Sequence, residues 1–229
     1  MKLAVLIIGQ NQNDYIGSML EKLARLEADR YWVLDRCTDD SASTLARLGE
    51  TNVITNQEGS GFLAGKMRDL GLDTILLKEY DAVLFLDGDR IPLAPITTKQ
   101  VKKALAGCDI SLCSLEADIR VVRPFKRVHN FKPNQFVTCG FIATTASLKA
   151  VRELFFMEGR CFHKNFDGRY GYEDGFFGKL LFDMGYTIAW NNIVVSGAII
   201  FDDIVKMKTL REQEDVFSLL VGKYSVVAE

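Results

Sequence analysis

What this 229-residue chain has little of narrows its chemistry first. It carries two histidines, His129 and His163, and five cysteines, Cys37, Cys108, Cys113, Cys139 and Cys161, with no CxxC spacing. A zinc site needs clustered cysteine and histidine ligands, and an odd set of scattered thiols makes a poor disulfide framework, so neither is expected. Reduced, mostly buried thiols in a cytoplasmic protein are expected instead. No run approaches the roughly 18 consecutive apolar residues that span a bilayer as a helix. The net charge is only −2, from 28 basic and 30 acidic side chains, so overall electrostatics names no polyanionic partner. The apolar start of the chain runs into Gln10-Asn11-Gln12-Asn13 with no small-residue cleavage site, which reads as a first buried strand and not as a secretory leader.

What is present suits one well-packed unit. Hydrophobic residues make up 48% of the chain, and folding at this length buries ~70% of the unfolded surface, so no metal is needed simply to fold. Residues 3–8 form a continuous apolar run, as a strand covered on both faces should. Residues 14–26 place apolar side chains at a helical period. Strands at 31–34, 52–55 and 82–86 alternate with helices at 41–48 and 62–77. That alternation predicts a parallel, doubly wound sheet. The second half predicts helices at 97–105, 147–156 and 209–221, one more within 171–184, and strands at 110–115, 136–144, 187–190 and 193–195. No repeat, low-complexity tract or linker divides the chain, so a single domain is expected, with residues 1–95 and 96–229 as its two halves.

Ligands of such sheets bind beyond the carboxyl ends of the strands. The polar ends here are Gln10-Asn11, Asp35-Arg36, Asn56 and Asp87-Gly88-Asp89, and all four are expected on one rim. The last follows Val83-Leu84-Phe85-Leu86 directly. Two carboxylates at i and i+2 past a buried strand can reach one hard cation, and Gly88 between them permits close backbone approach. Magnesium or manganese would take oxygen ligands there and complete its shell with water and phosphate. The same residues also suit a solvated turn.

Four segments in order resemble the family 2-like glycosyltransferases of the GT-A fold, with the aspartate pair between the third and the fourth. They are the opening strand with Gln10-Asn11-Gln12-Asn13-Asp14-Tyr15-Ile16, and Val33-Leu34-Asp35-Arg36-Cys37-Thr38-Asp39-Asp40-Ser41. The third is Gly61-Phe62-Leu63-Ala64-Gly65-Lys66-Met67-Arg68-Asp69-Leu70-Gly71-Leu72, and the fourth Gly171-Tyr172-Glu173-Asp174-Gly175-Phe176-Phe177. The resemblance implies a Rossmann-like, mostly parallel sheet with a smaller acceptor-side subregion. It also implies an enzyme that moves a hexosyl or pentosyl group from a nucleotide-diphosphate sugar, most often a UDP-sugar, to an acceptor hydroxyl.

By that resemblance Asp35, Gln10 and Asn11 edge the nucleobase, and Arg68 and Lys66 meet the diphosphate or the base. Asp87 and Gly88 line the ribose and metal, Asp89 ligates Mn2+ or Mg2+ directly, and Asp174 is the base of an inverting reaction, with Glu173 beside it. Asp202 or Asp203 stands in for a further metal ligand. The chain departs from the family at Arg36, where a second aspartate is usual, and at Asp69, where asparagine is usual. Independently, Arg120, Arg123, Lys126, Arg127 and Lys132 form a basic stretch interleaved with Pro124, Phe125 and Phe131. It suits a phosphate on a glycan, lipid or modified nucleic-acid acceptor, or a solvated loop over the site. Two other readings are a sugar nucleotidyltransferase and a non-catalytic nucleotide-sugar or glycan-binding module. The first lacks its glycine-rich, basic N-terminal loop, and the second has no use for Asp174.

Overall fold

A computed structural model of the protein describes residues 1–115, 127–129, 140–168, 172–196 and 217–221. Its strands are β1 (Leu3–Gly9), β2 (Asp29–Asp35), β3 (Val53–Asn56), β4 (Ala82–Asp87), β5 (Ile110–Leu115), β6 (Gly140–Thr144) and β7 (Ile188–Val195). Its helices are α1 (Asn13–Leu23), α2 (Ser41–Arg47), α3 (Ala64–Ile75), α4 (Thr98–Ala104), α5 (Thr145–Glu153) and α6 (Glu173–Asp183). All seven strands join one sheet in the order β3-β2-β1-β4-β6-β5-β7. The first four are mutually parallel, β6 runs against both β4 and β5, and β7 is parallel to β5. The doubly wound first half expected from the alternation is present, and the second half extends the same sheet.

The continuous apolar runs follow from burial on both faces. Successive side chains of a strand point to opposite sides. Leu6, Ile8, Val33, Val83 and Phe85 therefore pack against α3, α5 and α6, while Val5, Ile7, Trp32, Leu84 and Leu86 pack against α1, α2 and α4. Phe85 stacks on Phe141 of β6 at a centroid distance of 4.1 Å. Gly71 brings α3 down onto β1, since a Cβ there would lie 2.3 Å from Leu6 Cδ1. Residues 217–221 are helical and add Phe217 and Leu220 to the core; the remainder of the helix expected over 209–221, and residues 136–139 of the expected strand, lie outside the described residues.

One expectation is corrected. Residues 187–190 and 193–195 read as two strands because Asn191-Asn192 breaks the apolar pattern. In the structure they are one strand, β7. Asn191 is fully buried, its amide donating to Ser111 Oγ at 3.0 Å and its Oδ1 accepting from Ile193 N–H at 2.7 Å. A register irregularity between Leu112 and Ser114 accommodates it. The expected 147–156 helix also ends early, at Glu153, and a 3-10 turn over Phe155–Met157 follows.

Candidate active site

The carboxyl ends of β1 to β4 meet on one rim. Ile8 lies opposite Asp87 in the ladder and Asp35 opposite Asn56. β2 and β4 flank β1, which sets their ends about 10 Å apart. Two charge clusters form there.

The first closes on Asp35, which is 7% exposed. Arg36 grips it with Nε to Oδ1 at 3.0 Å and Nη2 to Oδ2 at 2.5 Å. Asn56 Nδ2 donates to the same Oδ1 at 2.7 Å. The remaining guanidinium donors reach Gly59 O and Gly61 O at 3.2 and 2.7 Å, fastening the glycine-rich loop after β3. Gly61 has φ +69° and lies against the Gly168 carbonyl, where a Cβ would come within 2.2 Å. Gly168 N–H in turn donates to Phe62 O. The Arg36 departure is thus a loop clamp as well as a neutraliser of Asp35. Gln10 and Asn11 are exposed beside this cluster: Gln10 Nε2 lies 3.5 Å from Arg36 O, and Asn11 Oδ1 accepts from Thr38 N–H at 2.8 Å.

The second cluster centres on Arg68, which is 2% exposed. Its Nη2 donates to Asp87 Oδ1 at 2.7 Å and its Nη1 to Glu173 Oε1 at 3.4 Å. Its guanidinium carbon lies 5.5 Å from the Phe162 ring centroid. Burial opposes the arginine's charge, and Asp87, Glu173 and Asp174 more than offset it. The Asp87 carboxyl is raised by burial and by Asp89 and Asp174, with Arg68 pulling the other way. Burial and Asp174 push Glu173 up to about 7, against Arg68. Glu173 Oε2 is buried with no hydrogen-bond partner among the described residues. Arg68 therefore ties the end of β4 to the start of α6, and both its terminal nitrogens are engaged.

Asp174 follows Glu173 in the first turn of α6, where the helix dipole favours an anion. Its Oδ1 accepts from Gly175 N–H at 2.7 Å. Tyr172, just before, holds φ +65°. Of the four non-glycine residues with positive φ among those described, three (Asn11, Arg36 and Tyr172) flank this rim. Such strain costs on the order of 1–3 kcal/mol per residue and gathers where surroundings over-determine the chain.

Sequence reasoning missed Gln12. It is 7% exposed and fills the space between Gly9 and Gly88, where a Cβ at either would fall within 3.0 Å of it. Its Nε2 donates to Gln10 O at 2.7 Å, and its Oε1 has no partner among the described residues. Gly88 therefore makes room first for Gln12 packing under the aspartate turn. Its own N–H closes onto Ile8 O.

Asp69, the second departure, lies away from both clusters' ligands. It is 5% exposed, pairs with Arg160 Nε at 2.9 Å, and accepts from the N–H groups of Cys161 and Phe162. Burial pushes it up to about 6 despite Arg160 and Arg152. It anchors the 160–167 segment to α3. His163 caps the 3-10 turn at Lys164–Phe166 through Nδ1 and sits edge-on to Phe176. Lys66 is half-buried in the first turn of α3. Arg127 is exposed and donates to Gly107 O at 3.2 Å. Arg120, Arg123, Lys126, Lys132, Asp202 and Asp203 lie outside the described residues.

Among the described residues, no group of three or more His, Cys, Asp or Glu side chains is gathered closely enough to hold a metal ion. The donor set present is one half-exposed carboxylate, Asp89 at 51%, beside Asp87, a quarter exposed and bonded to Arg68. That fits a magnesium- or manganese-type ion held by one or two carboxylates and completed by water and substrate phosphates. It does not fit an ion caged by the protein alone.

No protein-family model matches the chain, and no curated protein sequence does. Solved structures do. Residues 1–349 of S. aureus TarS superpose with a TM-score of 0.61 at 20% identity, over 86% of this chain and 60% of that one. The chain thus spans less than two thirds of the TarS fragment. Glucosyl-3-phosphoglycerate synthase from Mycobacterium tuberculosis, in complex with Mg2+ and uridine diphosphate, gives 0.61 at 16% identity over 92% of this chain and 78% of that one. The same enzyme with Mn2+, UDP-glucose and phosphoglyceric acid gives 0.60 at 15% identity, over 92% and 79%. These likenesses establish the fold as the GT-A fold of glycosyltransferases. Among the described residues no helix is long and apolar enough to cross a membrane.

Proposed function

We propose that the protein is a metal-assisted glycosyltransferase that moves a sugar from a nucleoside-diphosphate sugar, of the UDP type, to an acceptor hydroxyl. The observation that carries this reading is the gathering of Asp87, Arg68, Glu173 and Asp174 at the carboxyl rim of a GT-A sheet, with half-exposed Asp89 alongside. Two solved structures of the same fold, both of glucosyl-3-phosphoglycerate synthase, hold Mg2+ with uridine diphosphate and Mn2+ with UDP-glucose and phosphoglyceric acid.

Asp89, with Asp87, would hold the ion. The bound ion supplies Lewis-acid stabilisation of the charge on the departing diphosphate. Every other role falls to side chains. Arg68 holds Asp87 in place. Asp174 Oδ2 receives the proton of the acceptor hydroxyl as that oxygen attacks the anomeric carbon and the bond to the diphosphate breaks, its electron pair leaving with the phosphate oxygen. Attack from the face opposite the leaving group inverts the anomeric centre. The pinned loop around Gly59 and Gly61 bounds the nucleotide side and limits water access. On the acceptor side, the basic stretch 120–132 and the phosphoglyceric acid bound by one relative favour a hydroxyl compound carrying a phosphate or another anion.

Asp174→Asn tests the base. It is expected to lower transfer by about 10²–10⁴-fold, the usual range for losing a general base, with UDP affinity within a few-fold of wild type. Transfer at the wild-type rate would remove Asp174 from the mechanism.

A further inference from the structure

Among the described residues, Glu173 is the rim acid with a buried carboxylate oxygen left without a partner. Its side chain is 12% exposed. It packs against α3 at Gly65, where a Cβ would touch Glu173 Cγ at 3.5 Å, with Phe162 on the same side. Oε2 is buried without a partner among the described residues, and what favours the carboxylate's charge there is Arg68, at a long 3.4 Å from Oε1, and its own backbone N–H. Arg68 gives its short bond to Asp87 instead. Among the described residues, the charged groups facing Glu173 are Arg68 from α3, Asp87 from β4 and its neighbour Asp174 on α6, so a single cation among them bears on three carboxyls. A buried, poorly hydrogen-bonded carboxylate beside a like charge takes up a proton, while a neighbour that accepts a short bond, as Asp174 Oδ1 does from Gly175 N–H at 2.7 Å, stays ionised.

We propose that Glu173 is carried as the neutral acid while Asp174 is the ionised one, making Glu173 a positioning residue that leaves Arg68 to Asp87 and keeps a third negative charge away from the donor diphosphate. The proposal rests on the functional reading above for its purpose, and on packing alone for the protonation state. Glu173 holds its proton through the reaction, and only Asp174 exchanges one with the acceptor. The direction agrees with the upward push on Glu173 to about 7.

The test compares wild type with Glu173→Gln, the uncharged isostere, between pH 5 and pH 8. A carboxyl whose folded value lies near 7 instead of 4.5 destabilises the folded state increasingly as pH rises through that window and fully above it. The melting temperature of Glu173→Gln is therefore expected to gain on that of wild type across the window. In parallel, wild-type affinity for uridine diphosphate with magnesium is expected to fall about tenfold relative to the variant between pH 6 and pH 8, the scale of one added charge near a diphosphate. A constant melting gap overturns the protonation assignment, and a constant affinity ratio overturns the role assigned to it. Absence of UDP binding to wild type at any pH defeats the functional reading instead, and the melting comparison still decides this one. Should the variant not fold, the carboxyl carbon resonance of Glu173 in wild type decides: a midpoint near 7 is expected, and the ordinary 4.5 overturns the inference.

Discussion

The two charge clusters at the rim differ in kind. At Asp35 every strong demand is met: both carboxylate oxygens are bonded by Arg36, Asn56 adds a third bond, and the remaining arginine donors end on loop carbonyls. At Arg68 the demands exceed the supply, with an orphaned oxygen on Glu173 and raised carboxyls on Asp87 and Glu173. Asp69 is itself well served, meeting two arginines and two backbone N–H groups, though burial raises it to about 6 and Arg152 Nε beside it is buried without a partner among the described residues. Fully connected polar clusters rigidify a fold, whereas an unsatisfied one is held in place by its surroundings and is where a ligand has most to gain. The first cluster fastens the loop after β3; the second leaves a buried oxygen unserved among the described residues.

Breaking a satisfied hub should show the largest effect, and on stability. Asp69→Ala leaves the buried N–H groups of Cys161 and Phe162 without an acceptor, while Arg160 keeps its bidentate pair with Asp167, so a loss of about 3 kcal/mol is expected in chemical denaturation, from roughly 1–3 kcal/mol for each buried donor left unmade. A loss below roughly 1 kcal/mol, the scale of a surface ion pair, would show that the hub is ornamental. Arg36→Ala should cost less, about 2 kcal/mol, because the half-exposed arginine leaves while Asn56 still serves Asp35. Its sharper signature is functional: the loop at Gly59 and Gly61 loses its clamp, and the KM for the donor should rise more than kcat falls. An equal fall in kcat would move Arg36 from frame to chemistry and erase the distinction between the clusters.

Much of the frame could be read from residue order. β1 to β4 are apolar runs buried on both faces, and each ends in polar residues, so their shared rim follows from parallel topology alone. The aspartate turn was legible for the same reason, and the acidic start of α6 through the family resemblance of residues 171–177. Pairings were not. Arg68 read as a group for the diphosphate, yet its partners sit 19 and 105 residues away, and only the packing of α3 against α6 shows that it is buried between them. Asp69 meets Arg160 across 91 residues. Gln12 looked like one more amide in a polar turn, and nothing in its spacing signals that it fills the gap beneath Gly88. β7 reads as two strands because Asn191-Asn192 resembles a loop, until the hydrogen bonds of the buried Asn191 are seen.

Asp89 and the rim around it are proposed to take up a divalent ion together with a nucleoside diphosphate. Thermal melting of wild type and Asp89→Ala, each with magnesium alone, uridine diphosphate alone and both, tests it directly, since a ligand of the folded state raises the midpoint. A large rise only with both present, seen in wild type and absent from Asp89→Ala, is predicted. An unchanged wild-type midpoint with both present, or an equal rise in Asp89→Ala, would contradict it.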